Sequence, residues 1–258
     1  TDATTATTEG VTAPPTGEAA TEAPAETEAV AEAPRIEIAT DRLSGSISLR
    51  GGRIDDLSLT DYHQTLDPAS ETVRLLAPNG AAKPQYALFG WVPAGSLTYD
   101  DVPGPTTDWT ANNGAKLDPK TPVTLTWTNG KGLVFTREIS VDQNYLFTVT
   151  DTVRNTGAGD VTLAAYGQIA RHGLPPDLQN IFVVHEGVVR RTDGEITETD
   201  YADMPEFDVI EREGNPAEIA EGATDGWIGF TDHYWMSVLV PEQGKPHSQV
   251  VKYFAKND

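Results

Sequence analysis

A chain of 258 residues is long enough to bury a sizeable core in one large β-domain or two small ones, and 38% hydrophobic content supports a folded body. There is no cysteine, which excludes a disulfide framework and any thiolate metal site. The formal net charge of -21, from 39 acidic against 18 basic side chains, repels phosphate backbones and anionic headgroups, so no nucleic acid is expected as a partner.

No apolar run approaches the roughly 20 residues that a membrane-spanning helix needs. The chain begins at Thr1 without an initiator Met, a basic n-region or an apolar h-region, so a processed product or a fragment of a longer protein is expected.

Residues 1–34 are built almost wholly from Thr, Ala, Glu and Pro, with seven acids and no Lys or Arg. With no aromatic anchor, such a segment cannot offset its ordering entropy by burial and reads as a disordered acidic tether. As a flexible coil it would reach on the order of 30 Å. A functionless acidic tail is the other reading.

From Arg35 the pattern changes to alternation and a β-domain over residues 35–258 begins. Ile36, Ile38, Leu43, Ile47 and Leu49 precede Gly51-Gly52, a dipeptide free to take the positive φ that a tight hairpin needs. Ile54, Leu57 and Leu59 follow, and the step of three between Ile54 and Leu57 predicts a bulge near Asp55-Asp56.

Val123, Leu125 and Trp127 alternate up to Asn129-Gly130-Lys131-Gly132, and Leu133, Phe135 and Arg137 lead away, which predicts a second hairpin. Ile139 and Val141, then Tyr145, Phe147, Val149 and Val153, then Val161, Leu163 and Ala165 extend it into a meander, with a turn at residues 155–159. No helical period is sustained, so the expected class is all-β, an antiparallel sandwich. Residues 193–221 carry eleven acids against one base, Arg212, and read as a loop-rich acidic insertion. It is either a solvated connection or a docking surface for a basic partner, with Glu206, Asp208, Glu211 and Glu213 as its candidate contacts.

The five histidines, His63, His172, His185, His233 and His247, show no paired metal-ligand spacing, so no metal and no cofactor is expected. Asp55-Asp56 and Asp100-Asp101 point to opposite faces if extended and cannot act as a proton-sharing dyad. Ser44-Gly45-Ser46 and Gly95-Ser96 lack a nucleophile elbow. One constellation bears on catalysis: His172, His185 and Glu186 flank strand-like segments, the acid and base that an aldose-epimerase-like or carbohydrate-binding sandwich would need. Trp91, Trp109, Trp127, Trp227 and Trp235 would then be stacking platforms; as core and rim residues they would not.

The run Gly226-Trp227-Ile228-Gly229-Phe230-Thr231-Asp232-His233-Tyr234-Trp235 has the makeup of a buried strand. It stands in order behind Arg35-Ile36-Glu37-Ile38, Gly51-Gly52-Arg53-Ile54-Asp55-Asp56-Leu57, Leu75-Leu76-Ala77-Pro78, Phe89-Gly90-Trp91, Pro122-Val123-Thr124-Leu125-Thr126-Trp127, Val141-Asp142-Gln143-Asn144-Tyr145, Tyr166-Gly167-Gln168-Ile169 and His185-Glu186-Gly187. This collinear set resembles the periplasmic domain of the YidC membrane protein insertase family. Its signature positions here are Gly51, Gly52, Ile54, Leu57, Trp127, Asp142, Tyr145, Gly226, Trp227, Gly229, Phe230, Asp232, Tyr234 and Trp235.

The resemblance implies a β-supersandwich of the galactose-mutarotase-like type, on the periplasmic face of the bacterial inner membrane and held by transmembrane helices absent from this chain. It implies no catalysis. The role would be accessory, assisting insertion and folding of nascent membrane proteins alone or with Sec translocon components and accessory subunits. The family's domain continues beyond the Trp235 region, so an incomplete sandwich with an exposed edge is expected.

Overall fold

The computed structural model describes residues 33–81, 83–112, 114–174, 185–232 and 234–255. The tether, apart from its last two residues, and the strand-like residues 181–184 and His233 lie outside the described residues. Among the described residues there are eighteen strands, and the only helical turns are two 3-10 turns, at Tyr99–Asp101 and Met204–Glu206. The first eleven strands are β1 (Arg35–Ala39), β2 (Leu43–Ser48), β3 (Arg53–His63), β4 (Thr72–Leu76), β5 (Gln85–Ala94), β6 (Thr110–Ala111), β7 (Lys116–Leu117), β8 (Val123–Thr128), β9 (Leu133–Val141), β10 (Phe147–Asn155) and β11 (Thr162–Arg171). The remaining seven are β12 (Gly187–Thr192), β13 (Glu195–Asp200), β14 (Val209–Ile210), β15 (Asn215–Ala223), β16 (Gly226–Thr231), β17 (Met236–Leu239) and β18 (His247–Lys252).

The described residues divide into two compact units, those up to Ala77 with Leu88–Tyr166, and Pro78–Ala87 with those from Gly167 onward, two of the boundaries falling inside β5 and β11. In the first unit a sheet ordered β11-β5-β3-β2-β1-β7, with β4 beside β3, accompanies a second sheet ordered β10-β9-β8-β6. β1 with β2, β2 with β3, β3 with β4, β6 with β8, β8 with β9 and β9 with β10 pair antiparallel, and β1 with β7 parallel. Alternation decides which face is buried. Along β9, Leu133, Phe135, Arg137, Ile139 and Val141 point inward while the residues between them stay nearer solvent. Each fully buried aliphatic or aromatic side chain of this set contributes about 1.5–3 kcal/mol.

The Gly-Gly hairpin forms as the sequence requires, with φ of 75° at Gly51 and 60° at Gly52. The bulge is also where the broken alternation puts it: Ser46 pairs with Asp56 but Ile47 with Ile54, leaving Asp55 as the extra residue. That extra residue points inward. Asp55 is 1% exposed and pairs with Arg35 and with Arg53, whereas Asp56 faces Ser46 and Arg74.

Three expectations need correction. Tyr145 is not a strand residue: β10 begins at Phe147, and Tyr145 sits in the β9–β10 turn at φ 73°. Its neighbour Asp142 fixes that turn by accepting the Asn144 and Leu146 N–H groups. Residues 193–221 are not loop-rich either, because they hold β13, a 3-10 turn, β14 and most of β15. Of their acids, Glu195, Glu198, Asp200 and Glu221 occupy exposed strand positions, so charge density did not signal a lack of ladder pairing. Finally, residues 226–235 are not one buried strand. β16 ends at Thr231, and the chain turns there, the Asp232 N–H donating to the Trp235 carbonyl at 2.8 Å.

The second unit has a sheet ordered β13-β12-β16-β17 and another ordered β14-β15-β18. Its core joins Val188, Tyr201, Met204 and Val251 to the partly buried Phe207, Ile228, Phe230 and Tyr253. β17 is a terminal strand of its sheet, with Met236 and Val238 exposed.

Candidate functional site

In the first unit the signature residue Gly52 lies against a buried cation. Arg137, 0% exposed, donates from Nε and Nη2 to the two carboxylate oxygens of Asp151 at 2.7 and 2.9 Å, and from Nη2 to the Phe89 carbonyl at 2.9 Å. The guanidinium lies 4.9 Å from the Trp109 ring centroid and 5.7 Å from that of Phe89. Because β9 and β10 are neighbours in one sheet and Phe89 belongs to the other, the ion pair lies within a layer, and it is the Arg137 bond to the Phe89 carbonyl that reaches across.

Gly52 is part of the same arrangement. A Cβ there would sit 3.0 Å from Arg137 Nη1 and 3.3 Å from both Leu125 and Trp109. The hairpin therefore needs glycine at this position for contact as well as for φ. Ile54 and Leu57 are buried beside it, and Trp127 packs on Phe135 with ring centroids 5.6 Å apart.

In the second unit the signature strand β16 runs between β12 and β17. Its glycines mark close backbone approach: a Cβ on Gly226 would lie 1.8 Å from the Arg191 carbonyl oxygen, and one on Gly229 2.1 Å from that of Ser237. The Gln243 side chain both accepts from the Gly226 N–H and donates to its carbonyl, at 2.8 and 3.0 Å. At the end of β16, Asp232 pairs with Arg171 and accepts from the Tyr201 hydroxyl at 3.1 Å. Arg171 also lies over the rings of Tyr201 and Phe230, which stack on each other. Burial drives the Tyr201 hydroxyl pKa upward, so this phenol stays a neutral donor to Asp232. Trp227 and Trp235 are half-buried, and Tyr234 is exposed.

Nothing in this arrangement activates a nucleophile. His185 Nδ1 lies 3.0 Å from Asp200 and its Nε2 3.1 Å from the Val188 carbonyl, so both ring nitrogens are engaged by the chain itself. His172 is tilted against Tyr86, with its Nε2 3.4 Å from the hydroxyl. Glu186 is buried just ahead of β12. Among the tryptophans, Trp109 is buried under Arg137, and Trp91 and Trp127 both pack on Phe135. The rings serve the core rather than an open platform.

Two open grooves lie in the first unit. One, about 530 Å³, is lined by Asp56, Ser58, Gln64, Glu71, Thr72 and Arg74. The other, about 330 Å³, runs past Ser96, Asp101, Asn129, Lys131 and residues 157–159. In the second groove the Lys131 ammonium, with the Thr98 backbone and hydroxyl behind it, holds the Asp101 carboxyl down to about 2. Neither groove contains a histidine or a tryptophan.

The four acids singled out in residues 193–221 do not share one environment. Glu206, Asp208 and Glu211 are exposed. The Glu213 side chain is only 6% exposed and is held between Lys252 and Arg212. Sequence reasoning missed the cations of both clusters, Arg137 and Arg171; a lone arginine in an otherwise apolar alternating strand was the available signal.

Residues 35–258 match the family described as the YidC periplasmic domain. The Membrane protein insertase YidC of Cereibacter sphaeroides is 56% identical over 222 residues, covering 86% of this chain and 36% of that protein. Its namesake in Jannaschia sp. is 54% identical over 233 residues (90% and 37%), and that of Roseobacter denitrificans 52% over 230 residues (89% and 38%). The chain thus spans a little over a third of the length of these curated relatives.

Proposed function

The chain belongs to the YidC family through its periplasmic domain, and from that premise we propose that it is the accessory domain of a membrane protein insertase. In this reading it stands on the periplasmic face of the bacterial inner membrane, held there by membrane helices outside this sequence, and assists nascent membrane proteins as they insert and fold. The Sec translocon and its accessory subunits are its proposed neighbours. Residues 1–34 act as the tether and 35–258 as the working body.

The observation that carries the proposal is the unbroken family match from the first strand to the last residue. The geometry supports a non-enzymatic part. Buried ionic groups such as Arg137 with Asp151 and Arg171 with Asp232 are used to hold elements of the fold, and both nitrogens of His185 are occupied. The fold of sugar-converting sandwiches does not by itself bring their chemistry.

The test is photo-cross-linking in membranes of the full-length insertase, with the probe at the exposed positions Glu206, Asp208 and Glu211. Adducts to nascent membrane proteins or Sec components are expected. Anomerase activity in the purified chain that disappears in His185→Ala would contradict the proposal and favour the carbohydrate reading.

A further inference from the structure

We infer that Arg42, Asp61, Tyr62, Tyr145 and Leu146 form a docking surface for a short apolar protein segment flanked by basic residues. The inference goes beyond the accessory role and does not depend on it. Three connections of the first unit converge here: the β1–β2 turn with Arg42, the end of β3 with Asp61 and Tyr62, and the β9–β10 turn with Tyr145 and Leu146. The Arg42 guanidinium lies 5.6 Å from the Tyr145 ring centroid, and its Nε is 3.7 Å from Asp61. One cation thereby ties the three connections into a single surface.

The surface sets exposed apolar side chains beside its charged ones. Tyr62 is 45% exposed and Leu146 57%. Tyr145 holds a φ of 73°, a region that a bulky side chain rarely adopts and that glycine or asparagine would occupy without strain. The turn is locked around it, since Asp142 accepts two of its N–H groups and the Asp142 N–H donates to the Leu146 carbonyl at 2.9 Å. The β1–β2 turn is held similarly, by Thr40 accepting from Arg42 and Leu43 and by Thr60 donating to Asp41. Strain at an aromatic side chain in a fixed turn holds the half-buried Tyr145 ring in place beside the exposed Leu146. Tyrosine and arginine on rigid supports match the make-up of binding hot spots.

Charge selects the occupant. Arg42 is offset by Asp61, Asp41 is exposed on the same turn, and the whole chain carries -21. An approaching segment therefore gains from Lys or Arg on its flanks and from apolar side chains at its centre.

The experiment titrates the full 258-residue chain into a fluorescent peptide with Leu and Phe at its centre and Lys on both flanks, read by anisotropy. Tyr145→Gly suits the turn's φ, so its thermal midpoint should be unchanged or higher while affinity falls at least about tenfold. Tyr62→Ser with Leu146→Ser should weaken binding comparably, and added salt should weaken the unmodified chain. Met236→Ser with Val238→Ser, on β17, should leave binding unchanged. The inference is overturned if the unmodified chain does not bind the peptide, or if both patch variants bind like the parent. Equal binding of a Glu-flanked peptide, loss of binding in the β17 variant, or preference for phosphatidylglycerol vesicles over the peptide would also overturn it.

Discussion

Removing the Asp151 carboxylate should be among the most damaging single changes in the first unit. Arg137 has no solvent exposure and Asp151 is 13% exposed at its side chain, so Asp151→Ala would strand a guanidinium with only the Phe89 and Gly52 carbonyls to face it. Losing one partner of a buried ion pair costs about 3–5 kcal/mol. For a chain of this size that corresponds to a midpoint drop of roughly 6–20 °C. The assay is urea unfolding followed by tryptophan fluorescence, since Trp109 lies against the guanidinium. The Arg137→Met, Asp151→Leu double variant should be more stable than Asp151→Ala alone, because it leaves no unpaired charge. A loss below about 1 kcal/mol for Asp151→Ala, the range of exposed pairs, would refute the claim that Asp151 compensates the buried guanidinium.

Other expectations follow from the same geometry. Gly226→Ala, whose Cβ would meet the Arg191 carbonyl oxygen at 1.8 Å, should lose about 3 kcal/mol or more, whereas Gly222→Ala, with open space around it, should lose only about 1 kcal/mol; denaturation midpoints compare them. The Asp101 carboxyl falls from the usual 3.8 to about 2 on folding, so its contribution is present above 3.8 and is lost as pH drops towards 2. Lys131→Met should raise that pKa towards its ordinary value and flatten stability against pH across this window, as carboxyl NMR titration would read. Charge reversal at Glu206, Asp208 and Glu211 should leave the melting midpoint within about 2 °C, but Glu213→Lys should lower it clearly by setting a cation beside Lys252 and Arg212.

Local chemistry was legible before any coordinates. The Gly51-Gly52 hairpin, the bulge at Asp55 and the turn at residues 129–132 follow from glycine placement and from one broken alternation, both of which act over a few residues. Tyr145 misled because its aromatic character suits a strand, and only Asp142, three residues earlier, sets the turn. The acidic stretch misled because charge reports solvent exposure, not the absence of backbone pairing. The partners of the two arginines were not legible for a different reason. Arg137 meets Gly52 across 85 positions, and Arg171 meets Asp232 across 61, and no local pattern encodes such a meeting.

The central claim, that this domain faces the periplasm, is tested most directly through the chain's lack of cysteine. A single Ser96→Cys, at an exposed position of the loop after β5, would be introduced into an otherwise cysteine-free full-length insertase in cells with a permeabilised outer membrane. A membrane-impermeant maleimide should label it while the inner membrane is intact. Labelling that appears only after the inner membrane is disrupted would contradict the account.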